Sequence, residues 1–325
     1  MHGMSLNNRL LIFAMFCIFL PVAGSGQFYG TSIWDNLQVE AGLTLGGMNA
    51  VSDIMGNKHE YQGPFAGVTL RKTKFTGGLY GNAVMDDKYG LRMELNYGRV
   101  EGHDSLNIDA VAPSAYGRYE RNLNFRSNIY EASLLGEIYF TNLFNSGEPA
   151  KTLPYALAGF SIFGFNPQAL VGSEWIDLRP LRLEGQGFAE YPDRKLYRRY
   201  SWSYPIGVGV LFNLSPTFNI RAELLKRTTF TDYLDDVHEP NWVDPSLFYN
   251  YLPADQAILA TQLYNRSYII NPPRNTRPRG NPKENDAYWS ATIKIGYKFN
   301  QSIGGFSGGR LNRRSMLRSV RCFYW

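Results

Sequence analysis

The chain has 325 residues, a length that fits one or two domains or a single all-β barrel. Aromatic residues make up 15% of it, with 22 Tyr and 32 Gly, which suits a barrel where Tyr lies at interfaces and Gly permits turns and tight interior packing. The net charge of +5 comes without an aromatic-and-basic motif of the kind that binds nucleic acid. The mean hydropathy of −0.29 is compatible with a membrane barrel, because half of each strand faces away from lipid.

Residues 1–26 have the pattern of an export signal. Arg9 provides a positive start, Leu10–Val22 forms a short apolar core, and small residues precede the expected cleavage site before Gln27. The core is too short for a helical anchor, and no positive flank follows it. Removal of this segment would leave Cys322 as the one cysteine of the mature chain, which excludes a disulfide framework.

Eight segments alternate between apolar and polar residues with a period of two, which predicts β-strands with one apolar and one polar face. The strictest of them places aliphatic side chains such as Ile293 between the aromatic residues Trp289 and Phe299. This layout is typical of a membrane-spanning barrel strand, whose aliphatic band lies between two aromatic girdles. In chain order the predicted strands are Leu37–Leu45, Phe65–Arg71, Tyr89–Arg99, Asn128–Phe140, Pro154–Phe165, Ser201–Leu214, Phe218–Lys226 and Tyr288–Phe299.

Eight is the smallest strand number of membrane barrels. The predicted fold is therefore all-β, an eight-stranded antiparallel transmembrane β-barrel with long external loops that spans residues 27–300. Connection lengths agree with it, because bacterial barrels keep periplasmic turns short and external loops long. If the first strand runs outward, the predicted external loops are 46–64, 100–127, 166–200 and 227–287, and the predicted inner turns are 72–88, 141–153 and 215–217.

The predicted inward faces carry charged residues of both signs. A barrel of eight strands is just wide enough for side chains to fill it, and buried charges must be paired. We therefore predict an ion-paired plug that seals the lumen. An alternative is a proton or ion path, or a catalytic carboxylate pair, which would need a wider lumen or an accessible cleft. The residues of the predicted plug are Glu40, Arg71, Arg92, Glu94, Glu131, Glu137, Arg221, Glu223 and Lys294.

The sequence contains no recognisable catalytic motif. Its mature histidines, His59, His103 and His238, fall in predicted external loops, and no G-x-S-x-G, H-E-x-x-H, paired C-x-x-C or phosphate loop occurs. We expect no enzyme activity, no cofactor and no small-molecule substrate. The acidic run around Asp232 and His238 is interpreted as a solvated loop that caps a strand end, with a metal site as the alternative.

Residues 301–325 continue past the last predicted strand as a Gly-rich and then basic tail. With the usual polarity of a barrel this tail lies in the periplasm. There it would be either a solvated extension or a docking arm for an acidic partner or for inner-leaflet phosphates. The candidate docking residues are Arg310, Arg313, Arg314, Arg318 and Arg321.

Five segments, in this order, carry a resemblance to a known family. They read LQVEAGLTLGGMNAVSDIMGN, FRSNIYEASLLGEIYF, YALAGFSIFGFNP, TTFTDYLDDV and RPRGNPKENDAYWSATIKIGYKF. Together with the export signal they resemble the PorG-like outer-membrane barrels of the type IX secretion system of Bacteroidota. The match covers about residues 35 to 300, and its most specific pieces are Thr229–Val237 and Arg277–Phe299.

The resemblance implies a barrel in the cell outer membrane that serves as an anchor or accessory for the periplasmic ring and the translocon of that machinery. It implies no catalysis and no cofactor. Two alternatives are a small barrel that binds a ligand or adheres through its loops, and a barrel enzyme, which the histidine-poor lumen disfavours. The family motif residues, which we interpret as shaping loops, are Gly46, Gly47, Asn49, Asp53, Asp232, Tyr233, Asp235 and Asp236.

Overall fold

The computed structural model describes residues 37–54, 72–107, 119–140, 151–267 and 278–299. This part of the chain forms ten β-strands. Some of the connections between them contain two short α-helices and one-turn 3-10 helices over Asp104–Asn107 and Arg179–Leu181. The strands and helices are β1 (Leu37–Val51), β2 (Lys74–Met85), β3 (Tyr89–His103), β4 (Asn124–Tyr139), β5 (Thr152–Gly164), β6 (Pro167–Val171), β7 (Glu174–Asp177), β8 (Tyr200–Asn213), β9 (Phe218–Thr229), α1 (Ser246–Tyr251), α2 (Ala254–Leu263) and β10 (Ala287–Phe299).

Eight long strands close into a barrel. They pair antiparallel in the order β3-β2-β1-β10-β9-β8-β5-β4, and β3 pairs in turn with β4. The first and last strands meet in register, from Val39 opposite Phe299 to Val51 opposite Ala287. Closure satisfies the backbone hydrogen bonds that an open sheet edge would expose to lipid. The predicted fold class, an eight-stranded antiparallel transmembrane β-barrel, is confirmed.

The outer surface of the barrel is an apolar band with aromatic residues at both ends. Val208 on β8 and Ile293 on β10 are 58% and 59% exposed, although both are large aliphatic residues. Along β8 the outward side chains begin with Tyr200 and end with Phe212, so aliphatic residues lie between aromatic ones. A surface of this kind is suited to lipid, because proteins dissolved in water rarely expose so large a continuous apolar patch.

The prediction of an inner turn over residues 72–88 is wrong, because the second strand lies there. Residues 72–88, which were predicted to be an inner turn, contain β2, and the turn itself is only Asp86–Lys88. Glycines interrupt the apolar pattern of β2, which reads KFTGGLYGNAVM, so its alternation is weak. The predicted strand Phe65–Arg71 lies outside the described residues.

The first strand is longer than predicted and continues to Val51. The family motif residues Gly46, Gly47 and Asn49 therefore lie in a strand, and the prediction that they shape a loop is wrong. All three pair with β10, and Gly46 and Gly47 also pair with β2. A Cβ at Gly46 would lie 2.2 Å from the carbonyl oxygen of Ala291, so glycine is required there by close approach of the backbones.

The loops at the two ends of the barrel differ greatly in length. At the inner end β2 and β3 are joined by three residues, and β8 and β9 by Leu214–Thr217. At the external end lie β6, β7, α1 and α2. No α-helix within the described ranges is long and apolar enough to cross a bilayer. We call the described residues of the four external loops the external cap; they are 52–54, 72–73, 104–107, 119–123, 165–199, 230–267 and 278–286.

Candidate functional site

The lumen holds the charged residues that the alternation placed on inward faces. Of the nine predicted plug residues, Arg71 lies outside the described residues. The other eight are at most 6% exposed. Ion pairs join seven of them into one connected group, and the eighth, Glu131, pairs separately with Arg227. The eight residues are Glu40 on β1, Arg92 and Glu94 on β3, Glu131 and Glu137 on β4, Arg221 and Glu223 on β9, and Lys294 on β10.

Arg92 is the centre of this group. Its Nε lies 2.8 Å from Glu94 and its Nη1 lies 2.9 Å from Glu137, and Nη1 also contacts Glu223. Arg92 is completely buried, so its charge has no water to solvate it. Three carboxylates from three strands replace that solvation, which is what a buried cation requires.

Two further cations extend the network toward β1 and β10. Arg221 binds Glu40 at 2.7 Å and Glu137 at 3.3 Å, and donates to the Tyr139 hydroxyl at 2.9 Å. Lys294 contacts Glu94 and lies 3.3 Å from Glu223. Since each cation is shared between carboxylates on different strands, the ion pairs cross-link the barrel wall from within.

A fourth cation, Arg227, is not among the predicted lumen residues, because the predicted strand ends at Lys226 whereas β9 continues to Thr229. Its Nε lies 2.7 Å from Glu131, and its Nη1 donates to Ser290 at 2.7 Å. The hydroxyl of Tyr288 donates to the same carboxylate. The inward parity of Arg227, two positions beyond Leu225, could have identified it.

Buried apolar side chains lie along the same lumen. On β5 Tyr155 and Phe163 point inward, and Tyr155 donates its hydroxyl to Glu223. Toward the external end one cluster packs Met48, Ala50, Ile54, Val100, Leu123, Phe125, Ile129, Phe163, Phe165, Tyr197, Leu234, Val237 and Tyr288. Toward the inner end another packs Val84, Leu135, Tyr139, Leu153, Tyr155, Leu157, Leu211 and Leu225. Ion pairs and apolar clusters together occupy the lumen between its two ends.

The inner mouth of the barrel is open to solvent. It forms a vestibule of about 460 Å³ whose walls include Glu40, Lys151, Asn213 and Lys298. The Nζ of Lys298 donates to the Asn213 side chain at 2.6 Å. The vestibule ends at Arg221, which belongs to the ion-pair network.

At the other end, two buried arginines join the four external loops. Arg121, before β4, binds Asp104 at 2.7 Å, donates to the carbonyl oxygen of Asp53 at 2.9 Å, and also donates to that of Arg279. Arg279, before β10, contacts Glu184 in the loop after β5 and donates to the carbonyl oxygen of Asp236 at 3.1 Å. The cap is therefore held by contacts between loops.

The loops after β5 and β9 also share an apolar core. Phe188 stacks on Tyr251 with ring centroids 4.3 Å apart, and Phe248 at the centre of α1 is completely buried. The buried members of this cluster are Ala169, Leu178, Leu181, Leu183, Phe188, Val243, Phe248, Ala257, Ala260 and Leu263. The cap thus has a folded core of its own above the barrel.

The acidic motif of the loop after β9 is buried, so its interpretation as a solvated loop is wrong. Asp232 and Asp235 are 5% and 0% exposed. Asp235 accepts from the backbone N–H of Ile54 at 3.1 Å, and Asp286 accepts from that of Leu234 at 2.9 Å. These carboxylates accept hydrogen bonds from backbone N–H groups that folding removes from water. The spacing of the residues in the sequence does not reveal this role.

Two other motif residues complete this arrangement. Asp53 accepts from the backbone N–H of Asn281 at 2.6 Å, which joins the first external loop to the last. Asp236 accepts from the Tyr197 hydroxyl at 2.7 Å, and Tyr197 stacks on Tyr233 with ring centroids 4.5 Å apart. Asp53 and Asp236 therefore position the external loops.

Burial and mutual repulsion raise the pKa values of the clustered carboxyl groups. Burial, followed by the charges of Asp235 and Asp232, raises the pKa of Asp53 to about 8. Burial, followed by the charge of Asp235, raises the pKa of Asp232 to about 9. The pKa of Asp286 is also well above its usual range, for the same two reasons. The carboxyl groups of the cluster are therefore harder to ionise than carboxyl groups in water.

His238 is the one mature histidine that contacts the acidic cluster in the described part of the chain. Its Nδ1 lies 2.7 Å from the Asp232 carboxylate, and its ring packs on Tyr233 with centroids 5.0 Å apart. His103 is the last residue of β3, and His59 lies outside the described residues. Within the described ranges, no group of three or more His, Cys, Asp or Glu side chains is arranged to hold a metal ion.

We expect the cap to become less stable as the pH rises. A carboxyl group whose pKa is raised by folding contributes stability that is fully present below its unfolded value and is lost as the pH rises through its folded value. For Asp53 and Asp232 this window runs from about pH 4 to about pH 9. Hydrogen-exchange protection at the Leu234 amide, corrected for the intrinsic rate, should fall across it.

Asp232→Asn should flatten this pH dependence, because a neutral amide has no proton to lose. Asp244→Asn is the matched control, since Asp244 is an exposed carboxyl group of the same cap whose pKa is lowered by hydrogen bonds from Ser246. Protection at Leu234 that does not change between pH 5 and pH 9 in the unsubstituted protein would contradict the expectation.

No protein-family model matches the sequence. No curated protein matches it either. Among solved structures the chain is similar to Neisserial surface protein A, at 12% identity and a TM-score of 0.36, over 81% of this chain and 97% of that one. It is also similar to Ail, the attachment invasion locus protein of Yersinia pestis, at 11% identity and a TM-score of 0.34, over 81% and 98% of the two chains.

The N-terminal β-barrel domain of Pseudomonas aeruginosa OprF is similar at 13% identity and a TM-score of 0.32, over 81% of this chain and 98% of that one. These similarities do not assign a function. The assignment of the fold rests on the closed strand pairing of the chain itself. By that pairing and by the apolar band on its outer surface, the chain is an eight-stranded antiparallel transmembrane β-barrel.

Proposed function

We propose that the chain is a non-enzymatic barrel of the cell outer membrane that serves as an anchor or accessory component of the type IX protein secretion machinery. The observation that carries the proposal is the filled lumen, in which Arg92 and Arg221 are completely buried among carboxylates. A barrel whose interior is occupied in this way transports nothing through itself, so its useful surfaces are its two ends and its outer wall.

The outer-membrane location is supported by the apolar band with aromatic ends and by the asymmetry of the loops. Short turns at one end and long loops at the other are the arrangement of bacterial outer-membrane barrels, with the long loops outside. The export signal expected over 1–26 is consistent with this route. The inner mouth with Lys151 and Lys298 then faces the periplasm.

The link to type IX secretion rests on the resemblance to PorG-like barrels. Its motif residues Asp53, Asp235 and Asp236 hold the external loops together, which is a structural role compatible with an accessory protein. The proposed partners are outer-membrane lipid and the periplasmic ring and translocon proteins. The proposed contact with them is the arginine-rich tail over 301–325, which lies outside the described residues.

The folded cap favours a second candidate function. Its loops are joined by Arg121 and Arg279 and share a core around Phe248, so the external end presents a fixed surface. A fixed surface is suited to binding a ligand or another cell, because less conformational entropy is lost on association. In this alternative the barrel would hold the external cap at the outer surface of the membrane.

Deletion of 304–325 tests the proposed anchor. We expect the truncated barrel to insert in the membrane and to remain heat-modifiable on gels, because the described barrel ends at Phe299. Co-purification of the secretion ring from solubilised outer membranes, and export of its cargo, should both fall. The reason is that clustered arginines form bidentate pairs with carboxylates of a partner.

A full-length variant with the five tail arginines changed to lysine is the control, since it keeps the charge and removes the planar guanidinium groups. Full secretion by the truncated protein, with its partners still bound, would refute the tether. Loss of cap-dependent binding to cells or ligands, without any effect on secretion, would favour the second candidate.

A further inference from the structure

Two arginines lie side by side on the outer wall of the barrel near its external end. In the β3–β4 pairing Arg99 is opposite Asn128, and Arg126 is opposite Glu101. Arg99 and Arg126 are thus diagonal neighbours on adjacent strands, and side chains at such positions are within reach of one another. Both have the outward parity of Tyr97, which is exposed to the surroundings of the barrel.

The depth of this pair is fixed by an aromatic pair beneath it. Tyr97 and Tyr130 pack on the outer wall with ring centroids 5.1 Å apart, and they are 39% and 62% exposed. Aromatic residues in this position mark the boundary between hydrocarbon and headgroups. Arg99 is the next outward position beyond Tyr97 on β3, about 7 Å along the strand, and Arg126 is the second beyond Tyr130 on β4, about 13 Å along it. Because strands of such barrels are tilted by about 40°, both arginines lie in or just above the layer of lipid headgroups.

Each guanidinium group is held through one edge. The Nε of Arg99 donates to the Asn128 side chain at 2.9 Å. The Nε of Arg126 donates to Gln168 at 2.8 Å, and its guanidinium carbon lies 4.2 Å from the centre of the Trp175 ring. In the part of the chain that the structure describes, no hydrogen bond or ion pair uses the Nη atoms of either arginine. Two pairs of N–H donors therefore point away from their anchors.

The charge around the pair remains positive. Glu101 is the carboxylate nearest in the ladder, and the Nζ of Lys74 lies 2.8 Å from it. Lys74 therefore offsets the acid that would otherwise neutralise Arg126. A planar guanidinium with free Nη atoms matches the geometry of phosphate, to which it donates two parallel hydrogen bonds.

We propose that Arg99 and Arg126 form a binding site for the phosphate of an outer-leaflet lipid headgroup. The inference rests on the membrane location proposed above. A lipid fits better than a soluble anion because the wall directly below the pair, at Tyr97 and Leu95, is exposed and apolar and would contact the acyl chains of the same molecule.

Native mass spectrometry of the full mature chain, folded in a neutral detergent, tests the site. The probe is dioleoyl phosphatidic acid, and dioleoylglycerol, which has the same chains without phosphate, is the reference lipid. We expect the unsubstituted protein to retain phosphatidic acid at least tenfold better than the reference lipid. The Arg99→Gln/Arg126→Gln variant should lose most of this preference.

Lys195→Gln/Arg198→Gln is the matched control, because both residues are exposed cations of the external cap and their substitution removes the same charge. Heat-modifiable migration on gels establishes that each variant is folded. If the glutamine variant does not fold, Arg99→Lys/Arg126→Lys keeps the charge but lacks the two-pronged donors. It should show an intermediate, several-fold loss of the preference.

Equal retention of phosphatidic acid by the unsubstituted protein, the arginine variants and the control would overturn the proposal. Displacement of the lipid by millimolar inorganic phosphate alone would show a site for free anions and would overturn the lipid assignment. Capture of an acidic peptide in preference to the lipid would assign the pair to a protein partner instead. Phosphate-dependent retention by a protein that fractionates away from the outer membrane would support the site and refute the proposed location.

Discussion

Val208→Arg is expected to destabilise the folded barrel by roughly 2–4 kcal/mol, the cost of placing an arginine on the lipid face near the bilayer centre. Val208 points outward from the middle of β8, between the aromatic residues Tyr204 and Phe212, and is 58% exposed. Lipid offers no hydrogen-bond acceptor to the guanidinium there, and the interfaces are at their farthest from mid-strand.

Asn213→Arg on the same strand is the matched control. Asn213 lies in the wall of the inner vestibule, which is open to solvent, so an added cation there is expected to stay hydrated although the hydrogen bond from Lys298 is lost. We expect a cost of about 1 kcal/mol or less for this variant. Urea titration of the protein folded into liposomes measures both. Equal midpoints for the two variants would show that the faces of β8 are assigned to the wrong sides.

Arg92→Met is expected to cost roughly 3–5 kcal/mol, the range observed when one partner of a buried ion pair is removed. Methionine preserves most of the side-chain volume, so the loss comes from charge rather than from a cavity. Glu94 and Glu223 keep Lys294 as a partner, and Glu137 keeps Arg221 at 3.3 Å. Four carboxylates of the connected network would then share two buried cations, Arg221 and Lys294.

A second substitution separates charge from packing. Glu137→Gln in the Arg92→Met background should recover part of the lost stability, because it removes one uncompensated negative charge. Lys74→Met is the surface control, since the Lys74–Glu101 pair is 38% and 14% exposed and such pairs are worth about 1 kcal/mol or less. A cost for Arg92→Met no larger than that of the control would mean that the lumen is hydrated.

Most of the barrel follows from alternation in the sequence, because lipid and lumen impose opposite chemistry on neighbouring residues. The pattern placed Val208 and Ile293 outside and Glu40 and Lys294 inside, and the structure agrees. It failed for β2, because glycines interrupt the alternation of this strand. A Cβ at Gly78 would lie 2.2 Å from the carbonyl oxygen of Leu95 on β3, so the close approach of the neighbouring strand requires a glycine there. The pattern of β2 is therefore set by a contact with another strand, which local sequence does not show.

The external cap could not be predicted from local sequence. Its contacts join residues far apart in the chain, such as Asp53 with Asn281 and Glu184 with Arg279. An aspartate that pairs a backbone N–H has the same local pattern as one in a solvated turn, and only the burial of Asp235 distinguishes the two. The acidic motif was therefore recognised as a motif, but its burial was not.

Electrical recording of the purified mature protein in planar bilayers tests most directly whether this barrel is a closed anchor. The ion pairs around Arg92 and the apolar clusters on either side of them predict no stable single-channel steps at any moderate voltage. Arg92→Met is a useful comparison, because loss of the central cation is the change that would loosen the plug. Stable, reproducible open channels in the unsubstituted protein would contradict the sealed lumen and the anchor function inferred from it.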